Sequence, residues 1–548
     1  MKYEILDVDA LGRIGKLEVN KKQMITPNLF PVIHPFKNII PSSDFKNFGA
    51  QSVFTNAYIL YQNETIKENV LKKKIHQFLD FDGLIATDSG AFQQYMYNSS
   101  NMKINAEEIE GFQEKIESDF PVILDIPLQP DDTYEMAMNK VDATIDRARE
   151  NIKRRSNENC VWFGPIHGGK YHDLLIRCVN EMNNLDFGVY AIGGLVKLFL
   201  DYRFDVAIQI LLNVKKSIKP NKPLHMFGLG LPQFFSLAVA CGCDLMDSAA
   251  YILYAKENRY FTLSTGTKNL EELEEFPCYC PICTKFSPNE LKKFEDKLRI
   301  KLIAEHNLYL SFSELKTIRQ AIREGNLWDL VEQRIRAHPN LVKAARILKK
   351  DYPTFELYEK IYKKHGRKFV SYENIYRPLI SRYENKINNN YRVPIEVKFL
   401  IILPELDARG ENSPTIQNWL EEINNNAIIP RKDLHIVFNS FYFGLIPLEL
   451  IKTYPMGQFE SITASEEHDE LYESSVKKSN AFIIQNHKKY DKCGVLIPEK
   501  YINQFNEVVE FDAVNPIRGL EPILKSKFQS KCSVFSSLND LLQFFRDE

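Results

Sequence analysis

Three cysteines lie within the short stretch FPCYCPICTKF, while the six other cysteines of the chain are spread thinly. Cys278, Cys280 and Cys283 supply three thiolates at a spacing typical of a structural zinc knuckle, which needs one more ligand to complete a tetrahedron. His306, in the amphipathic stretch LIAEHNLYL that follows, is the predicted fourth ligand. Four protein ligands leave no position for water, so the sequence predicts one structural Zn²⁺ per chain. The alternative is a group of reduced core cysteines beside a buried histidine.

Three aspartates each follow a short, β-rich apolar run: Asp88 in TDSGAFQQ, Asp125 in LDIPLQPDD and Asp247 in MDSAAY. Any one of them alone could be the N-cap of a following helix. Three aspartates at equivalent positions, with glycines between them, favour instead a shared site at the ends of neighbouring strands. Paired carboxylates serve displacement at an anomeric carbon, one as the nucleophile and the other as the acid and then the base. The spacing therefore predicts an enzyme that acts on a glycosyl bond.

The elements that must position these residues are eight β-rich runs in the first 250 residues, separated by amphipathic helical stretches such as ENVLKKKIHQFL and FDVAIQILLNVKKSI. The eight runs are LFPVIHP, SVFTNAY, LIATDSG, PVILDI, VWFGPIHGG, VYAIGGL, LHMFGLG and CDLMDSA. Eight strands that each precede a crossover helix predict an α/β protein with a (β/α)8 TIM barrel, in which active sites lie at the carboxyl ends of the strands. A doubly wound open sheet is the alternative.

The chain has 548 residues, of which 44% are apolar and 26% charged, a composition typical of a soluble globular protein with two or three domains. The longest nearly uninterrupted apolar stretch, FFSLAVACGC, is shorter than a membrane span, and the start MKYEILDVD is unlike a signal peptide. The uneven placement of the cysteines argues against a disulfide framework and indicates a reducing compartment. These features predict a cytoplasmic protein without membrane association. The formal net charge of −2 neither predicts nor excludes a nucleic-acid partner.

Six motifs resemble, in this order, those of the archaeal tRNA-guanine transglycosylases: TDSGAFQ, DIPLQPDD, GPIHGG, AIGGL, DSAAYILYAKENRYFTLSTGT and FPCYCPICTKFSPNEL. The likeness runs from about Arg13 to Lys349. It implies that guanine at position fifteen, in the D-loop of tRNA, is replaced by 7-cyano-7-deazaguanine, the precursor of archaeosine. It also implies a covalent enzyme–RNA intermediate, a zinc-bearing (β/α)8 barrel and, commonly, a homodimer.

The resemblance assigns roles to the residues that match the family's motifs. Asp247 matches the nucleophile that attacks the ribose anomeric carbon, and Asp88 matches the general acid/base for the departing and incoming bases. Asp125 matches the acceptor for the N–H edge of the base. The remaining positions of the base pocket are Ser89, Phe92, His167, Gly193 and Gly194. Phe92 is available to stack on the base, and His167 stands where the family usually has Gln, both of which can donate to a base carbonyl.

The last third of the chain follows a polar stretch, SRYENKINNNYRVP, and contains the strand-like runs VKFLIILPELD, HIVFNSF, AFIIQNH and GVLIP. We predict a catalytic domain over residues 1–350, a linker or helical connection over 351–393 and a small α/β accessory domain over 394–548. The segment FYFGLIPLELIKTYPMGQFES resembles part of the accessory domain of archaeal transglycosylases and of archaeosine synthases. No PUA module is recognisable, so such a module is expected on a separate subunit or is dispensable.

Two other functions stay open at this point. An archaeosine synthase-like enzyme acting on already modified tRNA would keep the zinc knuckle but would not need both Asp88 and Asp247. The synthase signature is missing from the corresponding stretch, LPELDARGENSP. A non-catalytic tRNA-binding paralogue would need neither aspartate. The presence of both aspartates with intact neighbours favours base exchange.

Basic residues that could contact tRNA phosphates cluster in two places. The stretch EQRIRAHPNLVKAARILKK carries Arg334, Lys343 and Arg346 along one helical surface, with Lys285 beside the zinc knuckle. The other cluster, KRR at 153–155, is at least as well explained as a solvated helix face that is balanced by acids.

Overall fold

The computed structural model divides the chain into two compact units. The first comprises Met1–Ile347 with Tyr358–Lys360, and the second comprises Leu348–Leu357 with Ile361–Glu548. Within these units the structure describes residues 1–91, 105–348, 354–355, 358–363, 367–406, 410–426, 429–461, 469–503, 505–511 and 515–546. The sequence-based domain boundaries at residues 350 and 394 stay predictions.

The first unit begins with an antiparallel sheet and continues with eight short parallel strands, each of which overlaps one of the predicted β-rich runs. The strands of this unit are β1 (Lys2–Asp9), β2 (Gly12–Val19), β3 (Lys22–Ile25), β4 (Asn28–Pro31), β5 (Ser52–Asn56), β6 (Leu84–Asp88), β7 (Phe120–Pro121), β8 (Phe163–Ile166), β9 (Val189–Ile192), β10 (Leu224–Met226), β11 (Leu245–Ser248), β12 (Arg259–Thr262) and β13 (Gly266–Asn269).

The eight parallel strands form two sheets. One has five strands in the order β4-β11-β10-β9-β8, and the other has three in the order β5-β6-β7. Isolated parallel bridges join the sheets on both sides, between Val32 and Phe54 and between Val122 and Phe163. The predicted α/β class with parallel strands is therefore confirmed.

Helices alternate with these strands. In the first unit they are α1 (Ala57–Gln62), α2 (Glu64–Leu79), α3 (Ala106–Lys115), α4 (Tyr134–Arg154), α5 (His172–Asn184), α6 (Val196–Leu200), α7 (Phe204–Ser217), α8 (Pro232–Ala240), α9 (Ala250–Lys256), α10 (Pro281–Lys285), α11 (Pro288–Lys293), α12 (Asp296–Glu324), α13 (Leu327–Ile335) and α14 (Pro339–Arg346). The local sequence of α4 shows why such helices form: the Thr133 side chain accepts a hydrogen bond from the Met136 N–H, and buried Ala137, Val141 and Ile145 recur every four residues.

The strands of both parallel sheets, together with β2, bury side chains in one common cluster. Phe30, Phe54, Phe120 and Phe163 come from four different strands and lie within this cluster. Their rings meet mostly edge to face, with centroids 6.1 Å apart for Phe30 and Phe54 and 5.8 Å apart for Phe120 and Phe163. Because successive strand residues point to opposite faces, these side chains fill one side of the sheets while the helices cover the other.

A buried ion pair fixes the amino ends of several strands. The Arg13 guanidinium donates to both carboxylate oxygens of Asp244, at 2.8 Å from Nε and 2.7 Å from Nη2. Asp244 also accepts from the Leu224 N–H at 2.8 Å, at the start of β10. The pair is shielded from water, with only 6% and 1% of the two side chains exposed. It connects β2 to β10 and to the residue that precedes β11.

The second unit contains a five-stranded sheet in the order β17-β16-β15-β19-β22, parallel except for β17. Residues of β15 point alternately into two cores: Leu400 and Ile402 into one, Ile401 and Leu403 into the other.

The strands of the second unit are β14 (Arg367–Phe369), β15 (Phe399–Pro404), β16 (Leu434–Ser440), β17 (Gly444–Pro447), β18 (Phe459–Ser461), β19 (Lys492–Leu496), β20 (Lys500–Ile502), β21 (Val508–Glu510) and β22 (Cys532–Phe535). The helices are α15 (Pro378–Asn389), α16 (Pro414–Asn425), α17 (Asp469–Asn486), α18 (Glu521–Phe528) and α19 (Leu538–Arg546).

Among the helices of the described residues, none combines the length and the apolar content that a bilayer-spanning segment requires.

Candidate active site and metal centre

The three aspartates singled out from the sequence line one cavity of about 400 Å³ in the first unit. Asp88 ends β6, Asp125 lies four residues beyond β7, and Asp247 lies in β11. Gly193 and Gly194, which follow β9, line the same cavity. All of these residues sit at the carboxyl ends of parallel strands, and a cavity of this size is within the range for small-molecule sites.

Asp247 is held by two hydrogen bonds to a single oxygen. Its Oδ1 lies 2.8 Å from His225 Nε2 and accepts from the Gly228 N–H at 3.0 Å. Among the described residues, no hydrogen bond to its Oδ2 is formed, and the side chain is 14% exposed at the cavity. Gly228 has a φ of 77°, a backbone conformation that glycine adopts readily and that aims its N–H at the carboxylate.

Asp88 differs from an ordinary surface aspartate in its proton affinity. Burial, followed by repulsion from the carboxylates of Asp125 and Asp247, raises the pKa of Asp88 to about 7, although hydrogen bonds from the Gly90 N–H and from Asn56 act in the opposite direction. Asn56 Nδ2 donates to Asp88 Oδ2 at 2.9 Å. Near neutral pH, Asp88 therefore retains a proton that it can give to a ligand in the cavity.

Asp125 is backed by His167. The His167 Nε2 lies 2.6 Å from Asp125 Oδ2, and the ring is buried. A side chain at position 193 would not fit, because a Cβ on Gly193 would lie 2.3 Å from Cε1 of the His167 ring. His167 was predicted to donate to a base carbonyl, whereas its Nε2 is here engaged by Asp125.

Two other residues were predicted for the pocket, Ser89 and Phe92. The Ser89 hydroxyl is buried and donates to the Ile123 carbonyl at 3.0 Å, so it ties the end of β6 to the segment after β7. Phe92 lies outside the described residues.

Sequence reasoning missed three residues of this site. Asn56 ends β5, where its Oδ1 caps α1 by accepting from the Ile59 N–H while its Nδ2 binds Asp88. His225 lies in β10, and Phe227 follows that strand and lines the cavity. For Asn56 the available signal was position: a polar residue at the end of an apolar strand run, as with the three aspartates. No comparable local signal marks His225 or Phe227.

The cysteine knuckle and His306 converge as predicted. The ligand atoms of Cys278, Cys280, Cys283 and His306 all lie within 4.8 Å of one another. His306 Nδ1 lies 3.5 Å from Cys280 Sγ and 3.4 Å from Cys283 Sγ. Tetrahedral zinc, with ligand distances of about 2.0–2.3 Å, separates its ligands by about 3.5–3.8 Å. The four residues can therefore hold a metal ion.

The surroundings of His306 select the nitrogen that faces the thiols. His306 Nε2 lies 3.0 Å from the Phe261 carbonyl, to which a protonated Nε2 donates. This bond leaves Nδ1 as the unprotonated ligand atom, the arrangement common among metal-bound histidines. The Tyr260 ring stacks on the imidazole with centroids 3.6 Å apart and fixes its plane.

The basic residues proposed for phosphate contacts are largely engaged within the protein. Arg334 forms an ion pair with Glu314 at 2.9 Å, with only 18% of its side chain exposed. Lys343 pairs with Asp205 at 2.8 Å. Lys285 lies 5.1 Å from the centre of the Phe286 ring. Arg334 is thus in a structural ion pair that cannot be recognised from spacing along one helix.

The cluster at 153–155 is also balanced locally. Lys153 pairs with Glu150 at 2.7 Å, and Arg154 pairs with Glu110 at 2.6 Å. The Arg155 guanidinium lies over the rings of Trp162 and Phe187. These contacts fit the explanation as a helix face balanced by acids.

Comparison with known proteins identifies the family. The sequence profile described as Queuine tRNA-ribosyltransferase matches residues 8–340. The chain belongs to this family. The match spans both the three-carboxylate cavity and the Cys3His group.

Relatives with similar sequences are named tRNA-guanine(15) transglycosylase. The protein of Methanococcus maripaludis strain S2 is 37% identical over 522 residues, which cover 94% of this chain and 77% of the relative. The Methanocaldococcus jannaschii protein is 36% identical over 522 residues, with the same two coverages. The Archaeoglobus fulgidus protein is 38% identical over 489 residues, covering 88% of this chain and 92% of the relative. The similarity therefore extends well into the second unit.

The raised pKa of Asp88 predicts how stability depends on pH. The folded state holds the Asp88 proton up to about pH 7, whereas the unfolded chain releases it near 3.8. The folded state thus binds more protons, so this carboxyl's contribution to the free energy of unfolding falls as the pH rises from about 4 to about 7 and is constant above. Asp88→Asn, which cannot ionise, should gain stability over the wild type across that window. Urea unfolding at a series of pH values measures the difference.

The control for this experiment is Asp146→Asn. The Asp146 side chain is 72% exposed on α4 and is not among the residues that line the cavity. The difference in the free energy of unfolding between Asp146→Asn and the wild type should stay constant from pH 4 to pH 7. The corresponding difference for Asp88→Asn should increase over the same range. An Asp88→Asn difference that stays flat across the window would show that Asp88 ionises like an exposed aspartate.

Proposed function

We propose that this chain is a tRNA-guanine transglycosylase that exchanges guanine at position fifteen in the tRNA D-loop for 7-cyano-7-deazaguanine, a step in archaeosine biosynthesis. The observation that carries the proposal is the cavity shared by Asp88 and Asp247, in which burial raises the pKa of Asp88 to about 7 and Asp247 is held through one oxygen. Membership of the family and the names of the archaeal relatives support the same reaction. The chain is accordingly an enzyme, a transferase that modifies tRNA.

The scaffold that we propose is a closed (β/α)8 barrel. Bridges join the two parallel sheets on both sides, so the eight strands can be followed in chain order around one ring. The common cluster of inward side chains supports a single interior. In such a barrel the three aspartates share the mouth because every parallel strand ends there.

The first half of the reaction uses both catalytic aspartates. Asp247 Oδ2 attacks the anomeric carbon of the ribose, the bond from that carbon to guanine breaks, and its electron pair moves onto the base. The proton held by Asp88 passes to the departing guanine, which leaves neutral. The ribose is then esterified to Asp247, as in retaining glycosyl transfer.

The second half reverses these roles with a different base. The incoming 7-cyano-7-deazaguanine gives its proton to the Asp88 carboxylate and attacks the same carbon. The bond to Asp247 breaks, and both aspartates regain their starting protonation states. Two inversions at one carbon give net retention. A pKa near 7 suits Asp88 for both steps, because an acid and base of that strength can work in either direction at neutral pH.

The residues that line the cavity suit the binding of a flat heterocycle. Phe227 presents part of its ring to the cavity and is supported by the rings of Phe54 and Phe163, with centroids 6.2 Å and 6.1 Å away. We propose that it stacks against the base, a role that the family resemblance also assigns to Phe92. Asp125, backed by His167, accepts hydrogen bonds from the N–H edge, and the glycine backbone at 193–194 allows close approach of the ring.

Zinc is the metal that we propose for the Cys3His group, which comprises Cys278, Cys280, Cys283 and His306. Three thiolates and one imidazole nitrogen are ligands that favour Zn²⁺, and their separations suit a tetrahedron. The ion would link α10 and the knuckle to α12, which carries His306. It would have a structural role and take no part in the transfer.

The assembly is a further part of the proposal. A homodimer, common in the family, is what the resemblance implies, and tRNA with free base is the expected substrate pair. A separate PUA-containing subunit stays one of two alternatives, the other being that the enzyme works without such a module. Sedimentation of the purified chain, alone and with tRNA, measures its oligomeric state.

Two measurements test the proposed function: the transfer of labelled guanine to tRNA and the formation of the covalent enzyme–RNA intermediate. Wild-type protein incubated with radiolabelled guanine and unmodified tRNA should transfer label to RNA, and denaturing electrophoresis with a trapping base analogue should reveal a slow-migrating adduct. Asp247→Asn should abolish the adduct, because an amide is not an anionic nucleophile. Asp88→Asn should slow its formation by about two to four orders of magnitude. Asp146→Asn, far from the cavity, should behave like the wild type.

Three outcomes would contradict parts of this proposal. An adduct that persists without Asp247 but disappears in Asp125→Asn would identify a different nucleophile. Binding of tRNA by the wild type without any exchange of guanine would favour a non-catalytic paralogue. Activity only on tRNA that already carries the modified base would favour a synthase-like enzyme.

The zinc site has its own test. His306→Ala should lose bound metal and lower the urea midpoint of unfolding, since structural zinc contributes on the order of 10 kcal/mol in small metal-dependent modules. Elemental analysis by mass spectrometry measures the zinc content. His172→Ala, an exposed histidine at the start of α5, is the control and should retain full zinc. A stable His306→Ala variant with full zinc occupancy would show that His306 is not a ligand.

A further inference from the structure

His225 lies at the centre of the first unit, where a titratable side chain is unusual. It is fully buried, with none of its surface exposed. Four phenylalanine rings surround the imidazole, with centroids 4.9 to 6.3 Å away: Phe30, Phe54, Phe163 and Phe227. These rings come from β4, β5, β8 and the end of β10, so the histidine is enclosed from several sides.

Only one nitrogen of this ring has a hydrogen-bond partner. His225 Nε2 lies 2.8 Å from Asp247 Oδ1, whereas His225 Nδ1 is buried without a partner among the described residues. A proton on Nδ1 would be a buried donor with no acceptor, which is costly. In that tautomer Nε2 would carry no proton, and its lone pair would face the carboxylate oxygen of Asp247, which is also unfavourable. Both penalties vanish when the proton is on Nε2 alone.

The charge of the ring follows from the same surroundings. An imidazolium would need an acceptor for its second N–H, and the aromatic enclosure offers none among the described residues. The neutral ring that donates from Nε2 satisfies every polar atom except Nδ1, which as an unprotonated acceptor is the least costly group to leave without a partner. His225 therefore donates to Asp247 without adding a positive charge to the site.

We propose that His225, as the neutral tautomer protonated on Nε2, is the positioning residue for the nucleophile, a role that rests on the proposed function. The His225 Nε2–H and the Gly228 N–H both hold Asp247 Oδ1, so the plane of the carboxylate is fixed. Oδ2 then points to the cavity as the attacking oxygen. The packed phenylalanine rings keep the imidazole from turning away.

Positioning of this kind acts on the chemical step rather than on tRNA binding. A carboxylate without its two donors can rotate about its side-chain bonds, and a misplacement of about 1 Å in a reacting group can cost about 100-fold in rate. Phosphate contacts elsewhere provide most of the affinity for tRNA, so that affinity should not depend on His225.

Two substitutions separate donation from packing. His225→Gln keeps an N–H donor near the Nε2 position, whereas His225→Leu fills the space without a donor. In single-turnover adduct formation with saturating tRNA, His225→Leu should be about 100-fold slower than the wild type, and His225→Gln should recover most of that loss. The affinity for tRNA should be the same for all three proteins.

The matched control removes a comparable histidine–aspartate contact elsewhere in the unit. His76 Nε2 lies 2.9 Å from Asp119 Oδ2, before the start of β7 and away from the cavity. His76→Leu should leave the rate of adduct formation unchanged. Equal rates for the wild type and His225→Leu, or equal losses in His225→Leu and His225→Gln, would overturn the positioning role.

A spectroscopic measurement tests the tautomer without any substrate or any substitution in the observed protein. In wild-type protein labelled with ¹⁵N-histidine, assigned by the signals missing from His225→Gln, the ring should show one protonated and one unprotonated nitrogen, with the proton on Nε2. A proton on Nδ1, or a ring protonated on both nitrogens at neutral pH, would overturn the proposal. If the wild type forms no adduct at all, the proposed function fails, while the labelled ring still decides the state of His225.

Discussion

Burial of Asp88 in a cavity that it shares with two other carboxylates is the constraint on which the site depends. Asp88, Asp125 and Asp247 line the same space, and three negative charges close together in a partly dry site are unfavourable. The repulsion is relieved when one group keeps its proton, and burial together with both neighbours assigns that proton to Asp88. A carboxyl group that can hold a proton near neutral pH thus arises from burial first and from the crowding of like charges second, rather than from any special residue type.

The groups that contact the carboxylates of Asp88 and Asp247 preserve this arrangement because they donate hydrogen bonds without bringing a charge. Asn56 donates an amide N–H to Asp88, and the Gly228 N–H donates to Asp247, as His225 does in the tautomer that we propose. A lysine or arginine in any of these places would stabilise the ionised form of Asp88 and remove the acid. The first unit does contain a buried arginine, but Arg13 pairs with Asp244, which precedes β11, and not with Asp247 within it. Asp244 and Asp247 lie three positions apart, a rise of about 10 Å along a strand.

Much of this organisation could be predicted from the sequence, because it depends on local patterns. Alternation of apolar runs and helical stretches predicted the eight parallel strands, and the strand ends predicted the shared position of the three aspartates. The spacing of the cysteines predicted the metal-binding group. Partners that are distant in sequence could not be predicted: His225 appears as one polar residue in a core strand until the register of β10 against β11 places it beside Asp247. Arg334 appears to be free for a phosphate until the packing of α13 against α12 pairs it with Glu314.

The most direct test of this account is an infrared titration of the Asp88 carboxyl group. The difference spectrum between the wild type and Asp88→Asn, recorded at a series of pH values without substrate, isolates the carbonyl band of the protonated carboxyl group. The account predicts that this band is present at pH 6 and disappears with a midpoint at about 7. A band that is already lost near the ordinary aspartate value of about 4 would show that Asp88 is ionised at neutral pH. In that case the cavity would hold three carboxylates without a general acid, and the proposed proton transfer to guanine would be wrong.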